Sequence, residues 1–217
     1  ISFFFNAHNG FLEEIAKFRA AREIWASIMK TRFKVTNEKA LKCRFHVQTA
    51  GSTLTAQQPQ NNIVRTTIQA LSAVLGGAQS IHTNSYDEAL GLPTEEAAKI
   101  ALRTQQLIAN ETNLVKFVDP LFGSDLIETL TEKYILKANE ILKEIDQIGG
   151  AVKAIEDGYM QKNISRTAYE YQKSIDNNST LIVGLNCHEE EDVEIDLQQI
   201  NAQSVNDQIK ILKKIKK

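Results

Sequence analysis

The sequence predicts an α/β protein built from parallel strand–loop–helix units. Two observations carry this. A short apolar run gives way three times to a polar cluster and then to a long stretch of helical periodicity. That order is the mark of βα units, whose crossover helices make the strands parallel. The chain also contains no Gly-x-Gly-x-x-Gly after a strand, so the dinucleotide-binding form of such folds is disfavoured.

The first unit takes residues 1–5 as strand and Asn6-Ala7-His8-Asn9-Gly10 as loop. Its helix, about residues 11–33, carries Leu12, Ile15, Phe18, Ile24 and Ile28 at three- to four-residue spacing. In the second, residues 43–47 form the strand and Gln48-Thr49-Ala50-Gly51-Ser52-Thr53 the loop. The helix begins near Asn61, with Ile63, Val64, Ile68, Leu71 and Leu75 as its apolar face, and Gly76-Gly77 stops it. The third has Ser80-Ile81-His82 as strand and Thr83-Asn84-Ser85-Tyr86-Asp87-Glu88 as loop. Its helix opens at Pro93-Thr94-Glu95-Glu96, with proline and acids where a first turn favours them.

Beyond about residue 113 the pattern becomes helical: residues 124–148, 150–157 and 163–175, broken by Gly149-Gly150. Leu181-Ile182-Val183-Gly184-Leu185 reads as a short strand and Glu189-Glu190-Glu191-Asp192 as an acidic, exposed linker. The chain is helical again from about Ser204, and its basic end (Lys210, Lys213, Lys214, Lys216, Lys217) suits a helix C-terminus. The resulting division is 1–112 for the βα units, 113–186 for a helical segment with a short strand, and 187–217 for linker and terminal helix.

Bulk properties exclude several classes. A formal net charge of -2 supplies no field for nucleic acid, and no apolar run approaches a membrane span. Cys43 and Cys187 form no Cys-x-x-Cys pair, so no disulfide framework or zinc site is expected and a reducing cytoplasm fits. His8, His46, His82 and His188 have no metal-ligand spacing, and no metal site is expected. There is no Gly-x-Ser-x-Gly elbow and no Walker loop. The strand-like opening without Met suggests a chain that begins inside a longer product.

Chemistry concentrates in the polar clusters, because parallel units bring strand C-termini and their loops to one end. Arg44, His46 and Gln48 alternate and so share one strand face, where polar groups are costly unless they bind a ligand or one another. Gln79, Ser80, His82 and Asn84 continue that character on the third strand. Asp87 and Glu88 either cap the next helix or serve the site. A satisfied internal hydrogen-bond network and a ligand channel both fit these patterns.

Several stretches resemble the acyl-CoA mutases of the methylmalonyl-CoA mutase type. They are Ser2-Phe3-Phe4-Phe5-Asn6-Ala7-His8-Asn9, the run Gln48 to Pro59, Asn61-Asn62-Ile63-Val64-Arg65, and above all Gln79-Ser80-Ile81-His82-Thr83-Asn84-Ser85-Tyr86-Asp87-Glu88-Ala89-Leu90-Gly91-Leu92-Pro93-Thr94. The resemblance implies the C-terminal three βα units of a TIM-type (β/α)8 barrel, followed by a mostly helical linker. It implies adenosylcobalamin as cofactor and an acyl-CoA substrate, isomerised by radical carbon-skeleton rearrangement. The substrate would be (R)-methylmalonyl-CoA, giving succinyl-CoA, or alternatively isobutyryl-CoA or 2-hydroxyisobutyryl-CoA. By matching motif, Ser2, Arg44, Gln48, Gln79 and Ser80 would line the acyl-CoA channel. Gly51, Asn84, Glu88, Gly91 and Leu92 would meet the cofactor. Partners would be the remaining barrel and a cobalamin-binding domain or small subunit, in a homo- or hetero-oligomer. The family's Asp-x-His-x-x-Gly signature is absent and Ser52-Thr53 stand where many members carry Trp. Catalytic residues are expected upstream, so this chain alone should not turn over substrate. A non-catalytic barrel piece acting as a binding or assembly module is the reading of another class.

Overall fold

In the computed structural model, residues 1–191, 197–198 and 201–216 are described. Strands β1 (Phe3–Ala7), β2 (Phe45–Thr49) and β3 (Ser80–His82) form one parallel sheet in the order β1-β2-β3. Helices α1 (Phe11–Thr31), α2 (Asn61–Leu75) and α3 (Glu95–Glu111) follow the strands in turn. The three βα units therefore form as the sequence predicts. The sheet is open, with β1 and β3 as its edges, and the described residues close no barrel.

Strands β1 and β2 lie two residues later than the apolar runs suggest, at 3–7 and 45–49. Each runs on through a polar residue, Asn6 in β1 and Gln48 in β2, so a reading by hydrophobicity stops short. Arg44 accordingly precedes β2, with its carbonyl accepting the Phe3 N–H at 2.9 Å.

The helices cover one sheet face. Phe3, Phe5, Phe45, Val47 and Ile81 point into that layer and pack with Phe18 and Trp25 of α1. The Phe18 and Phe45 rings stack at 5.4 Å, and each buried ring stabilises the fold by roughly 1.5–3 kcal/mol. Gly76, at the end of α2, permits this packing: a Cβ there would lie 2.4 Å from Phe18 Cδ2.

α2 reverses the expected orientation. Its buried residues are Asn62, Thr66, Gln69, Ala70, Ser72 and Ala73, whereas Val64 and Ile68 are exposed. The helix turns a small and polar face to the sheet because its polar side chains bond the strand-end loops.

Among the described residues four more helices follow: α4 (Asp125–Ile148), α5 (Ala151–Glu156), α6 (Tyr159–Asp176) and α7 (Ala202–Ile215). α4 lies along α1, where Arg19 bonds Glu128 at 2.7 Å and also pairs with Asp119. The expected strand at 181–185 does not form. Gly184 adopts φ 84°, and only a single bridge joins Val183 to Cys187. Asn186 holds the turn instead, accepting the Ile182 N–H at 2.7 Å and donating to the Thr180 carbonyl at 2.9 Å. Glu189, Glu190 and Glu191 are exposed as expected of the acidic linker, while Asp192 and Lys217 lie outside the described residues.

Candidate functional site

The C-terminal ends of β2 and β3 hold a connected polar cluster. Thr49 donates through Oγ1 to Asn84 Oδ1 at 2.7 Å and accepts the Asn84 backbone N–H at 2.9 Å. Asn84 Nδ2 donates to Glu88 Oε2 at 2.6 Å, and Glu88 Oε1 accepts the Ser85 N–H at 2.7 Å. Gly51 opens a short 3-10 turn beside them, and a Cβ at that position would stand 3.2 Å from Asn84 Nδ2. Gly51, Asn84 and Glu88 thus stand together at this end of the sheet. Gly91 and Leu92 lie further along the same loop, both exposed, with the Gly91 N–H bonded to the Asp87 carbonyl at 3.2 Å.

A second layer holds this cluster rigid. Gln69, fully buried on α2, accepts the Ala50 N–H at 2.8 Å and donates to Thr53 Oγ1 at 2.8 Å and Asn9 Oδ1 at 2.6 Å. Asn62 accepts the Thr55 N–H at 3.1 Å and donates to the carbonyls of Thr55 (2.9 Å) and Tyr86 (2.8 Å). Two amide side chains therefore tie all three loops: Gln69 joins those after β1 and β2, and Asn62 those after β2 and β3. Asp87 is buried and caps the turn before α3, accepting the Thr94 N–H at 2.9 Å and its hydroxyl at 2.8 Å. Of the two roles open to it, capping is the one its bonds fill. Thr49, Asn62 and Gln69 escaped the sequence reading. The available signal was polar residues at helical spacing on α2, which a search for apolar stripes passes over.

Burial raises the Tyr86 hydroxyl above its usual range, helped by Glu96 and Asp87. His8, after β1, is pushed below the ordinary imidazole value by burial, with Glu14 opposing and Lys17 adding to the effect; its ring meets Tyr171 of α6 edge-on at 6.2 Å.

The sheet face away from the helices is polar and open. Pairing sets Phe4 beside His46 and His46 beside Ser80, then Asn6 beside Gln48 and Gln48 beside His82. At the N-terminal end of this face, Ser2, Arg44, Gln79 and Ser80 line a cleft of about 390 Å³ together with Phe4 and His46. His46 Nδ1 and Ser80 Oγ are 2.7 Å apart. Gln79 borders the cleft, but its amide is engaged: it accepts the Phe45 N–H at 2.7 Å and donates to the Gly77 carbonyl at 2.9 Å. Gln48, the fifth residue expected in the channel, stands on the same face nearer the strand C-termini.

The open face thus has a cleft beside Arg44 at its N-terminal end, and an amide–carboxylate cluster stands at the strand C-termini. Among the described residues no three His, Cys, Asp or Glu side chains converge as a metal site. The family model described as methylmalonyl-CoA mutase matches residues 1–217, the full chain. The chain belongs to the methylmalonyl-CoA mutase family.

Its relatives within that family differ in substrate. It is 46% identical over 218 residues to the 2-hydroxyisobutanoyl-CoA mutase large subunit of Aquincola tertiaricarbonis, which covers 100% of this chain and 39% of the relative. It is 44% identical to the mitochondrial methylmalonyl-CoA mutase of Homo sapiens, over 100% of this chain and 29% of the relative. It is 43% identical to methylmalonyl-CoA mutase of Escherichia coli strain K12, over 100% of this chain and 30% of the relative. The chain spans between 29% and 39% of the length of these relatives. Among the described residues no helix is long and apolar enough to cross a membrane.

Proposed function

We propose that the chain is the part of an adenosylcobalamin-dependent acyl-CoA mutase that carries the last three βα units of its acyl-CoA-binding barrel (1–112). Residues 113–186 and 187–217 then form the helical segment and linker toward a cobalamin-binding domain or small subunit. The observation that carries this reading is the union of Gly51, Asn84 and Glu88 at one end of an open polar face whose other end is lined by Ser2, Arg44 and Ser80.

The residues present fit the cofactor. Gly51 is exposed and lacks the Cβ that would crowd Asn84, so a flat macrocycle can approach the backbone closely. Asn84 and Glu88, fixed by Thr49 and the Ser85 N–H, offer oriented amide and carboxylate groups to the adenosyl hydroxyls, and Gly91 and Leu92 border the corrin. Adenosylcobalamin, when bound, supplies an adenosyl radical by cobalt–carbon homolysis. The chain's own residues bind and orient. Arg44 and Ser2 take the phosphate end of the substrate, Ser80 and Gln48 follow its arm, and Gln79 steadies β2 beside it. The helices behind the sheet exclude water from that side.

Interconversion of (R)-methylmalonyl-CoA and succinyl-CoA is the first reading of the reaction. The 46% identity to a 2-hydroxyisobutanoyl-CoA mutase large subunit supports a second, with 2-hydroxyisobutyryl-CoA or isobutyryl-CoA as substrate and a separate small subunit as partner. A reducing, cytoplasmic setting accords with the free thiols of Cys43 and Cys187.

The test uses the complete polypeptide containing this segment, supplied with its cobalamin-binding partner. Adenosylcobalamin binding is followed by visible absorbance, and turnover is measured on each acyl-CoA. The expected result is isomerisation of one of them. Gly51→Val should weaken cofactor binding by about tenfold or more, roughly 1.4 kcal/mol, with CoA affinity unchanged. A complete polypeptide that binds acyl-CoA but neither binds the cofactor nor isomerises would leave the binding-module reading in its place.

A further inference from the structure

We infer that Asn6, Gln48 and His82 act together as a transverse row that holds the acyl end of the substrate beneath the cofactor. The inference rests on the acyl-CoA mutase reading and adds two residues, Asn6 and His82, to the channel.

Register carries the argument. Asn6 pairs with Gln48 and Gln48 with His82, so one polar side chain from each strand stands at the same height. Alternation puts all three on the open face, because Phe5, Val47 and Ile81 face the helices between them and their neighbours. Asn6 and His82 are exposed and Gln48 is half-buried. The row below, Phe4–His46–Ser80, is partly self-satisfied through the His46–Ser80 contact at 2.7 Å. In the upper row no side chain has a hydrogen-bond partner among the described residues; Lys17 Nζ donates to the Asn6 backbone carbonyl at 2.6 Å.

Two residues of strand rise separate adjacent rows, about 6.6 Å. The upper row is therefore the last before Asn84, which follows His82 by two residues and bonds Glu88. Once this face lines an enclosed channel, three unpartnered polar side chains are costly unless a ligand satisfies them. Each of them carries an N–H donor. The matching ligand is an extended chain bearing carbonyl oxygens, with the thioester carbonyl at this height and the amide carbonyls nearer Arg44. Fixed donors of this kind keep the reacting carbon at the cofactor end of the channel.

The test compares CoA with acyl-CoA in the complete polypeptide and its cobalamin-binding partner. His82→Ala and Asn6→Ala should each lower kcat by about tenfold or more. Affinity for unacylated CoA and the thermal midpoint should stay unchanged, and His82→Gln should restore most of the rate. Unchanged kcat in His82→Ala overturns the inference, as does an equal loss of CoA and acyl-CoA binding, which would make the row part of the shaft. If the unsubstituted polypeptide binds no acyl-CoA at all, the mutase reading fails and takes this inference with it.

Discussion

The two ends of the sheet are built differently. At the C-terminal end, Thr49, Asn62, Gln69, Asn84, Asp87 and Glu88 bond one another and the loop backbones, and most of them are buried. At the N-terminal end and along the open face, Ser2, Arg44, Asn6 and His82 are exposed. The first region is organised before any ligand arrives, and its polar groups stabilise the fold. The second contributes little to stability and has its donors free. Substitutions should therefore separate into those that unfold the protein and those that only weaken binding.

The largest effect is expected at Gln69. Gln69→Leu keeps the volume but removes the bonds to the Ala50 N–H, Thr53 Oγ1 and Asn9 Oδ1, leaving the Ala50 N–H to the Ala7 carbonyl alone and breaking the tie between the first two loops, at a cost of about 2–3 kcal/mol. Denaturant unfolding of the complete polypeptide measures it; a loss under half of that would mean the cluster is not a structural unit. Arg44→Ala tests the opposite end. CoA affinity should fall about tenfold with a weakened salt dependence, and stability should not change, since the side chain is exposed. An unfolding midpoint that dropped with affinity would erase the contrast between the two ends.

The smallest effect concerns pH. Burial lowers the His8 pKa in the fold, so below its ordinary value of 6.5 the unfolded chain binds more protons than the folded one. Stability contributed at neutral pH is lost as pH falls through 6.5 toward the folded value. Stability profiles of the parent and of His8→Gln, compared across that window, should differ by a shallower slope in the variant.

The βα rhythm was legible because strands and helices have different periods, and the end of α4 was legible from Gly149-Gly150. Three features were not legible. The strands run on into polar residues, Asn6 and Gln48–Thr49, that a hydrophobic run excludes. α2 buries Asn62, Thr66 and Gln69 and exposes Val64 and Ile68, because partners from three loops make polar burial favourable there. The apolar run at 181–185 resembles a strand, yet a strand needs a neighbour, and Asn186 offered the backbone a local alternative. In the first two cases long-range hydrogen bonding overrode local pattern; in the third a nearby side chain did.

The turn after α6 bears on how divisible the chain is. Gln58 donates to the His188 carbonyl at 2.7 Å and Arg65 to the Val183 carbonyl at 2.6 Å, while Gly184 lets its backbone sit against the Gln58 side chain. Residues separated by more than a hundred positions thus buckle the helical segment onto the loop that presents Gly51. Severing the gene at the boundary near residue 113 would yield two modules in name only: the first would lose the clasp on the loop that carries Gly51 and Gln58, and the second would lose its seat.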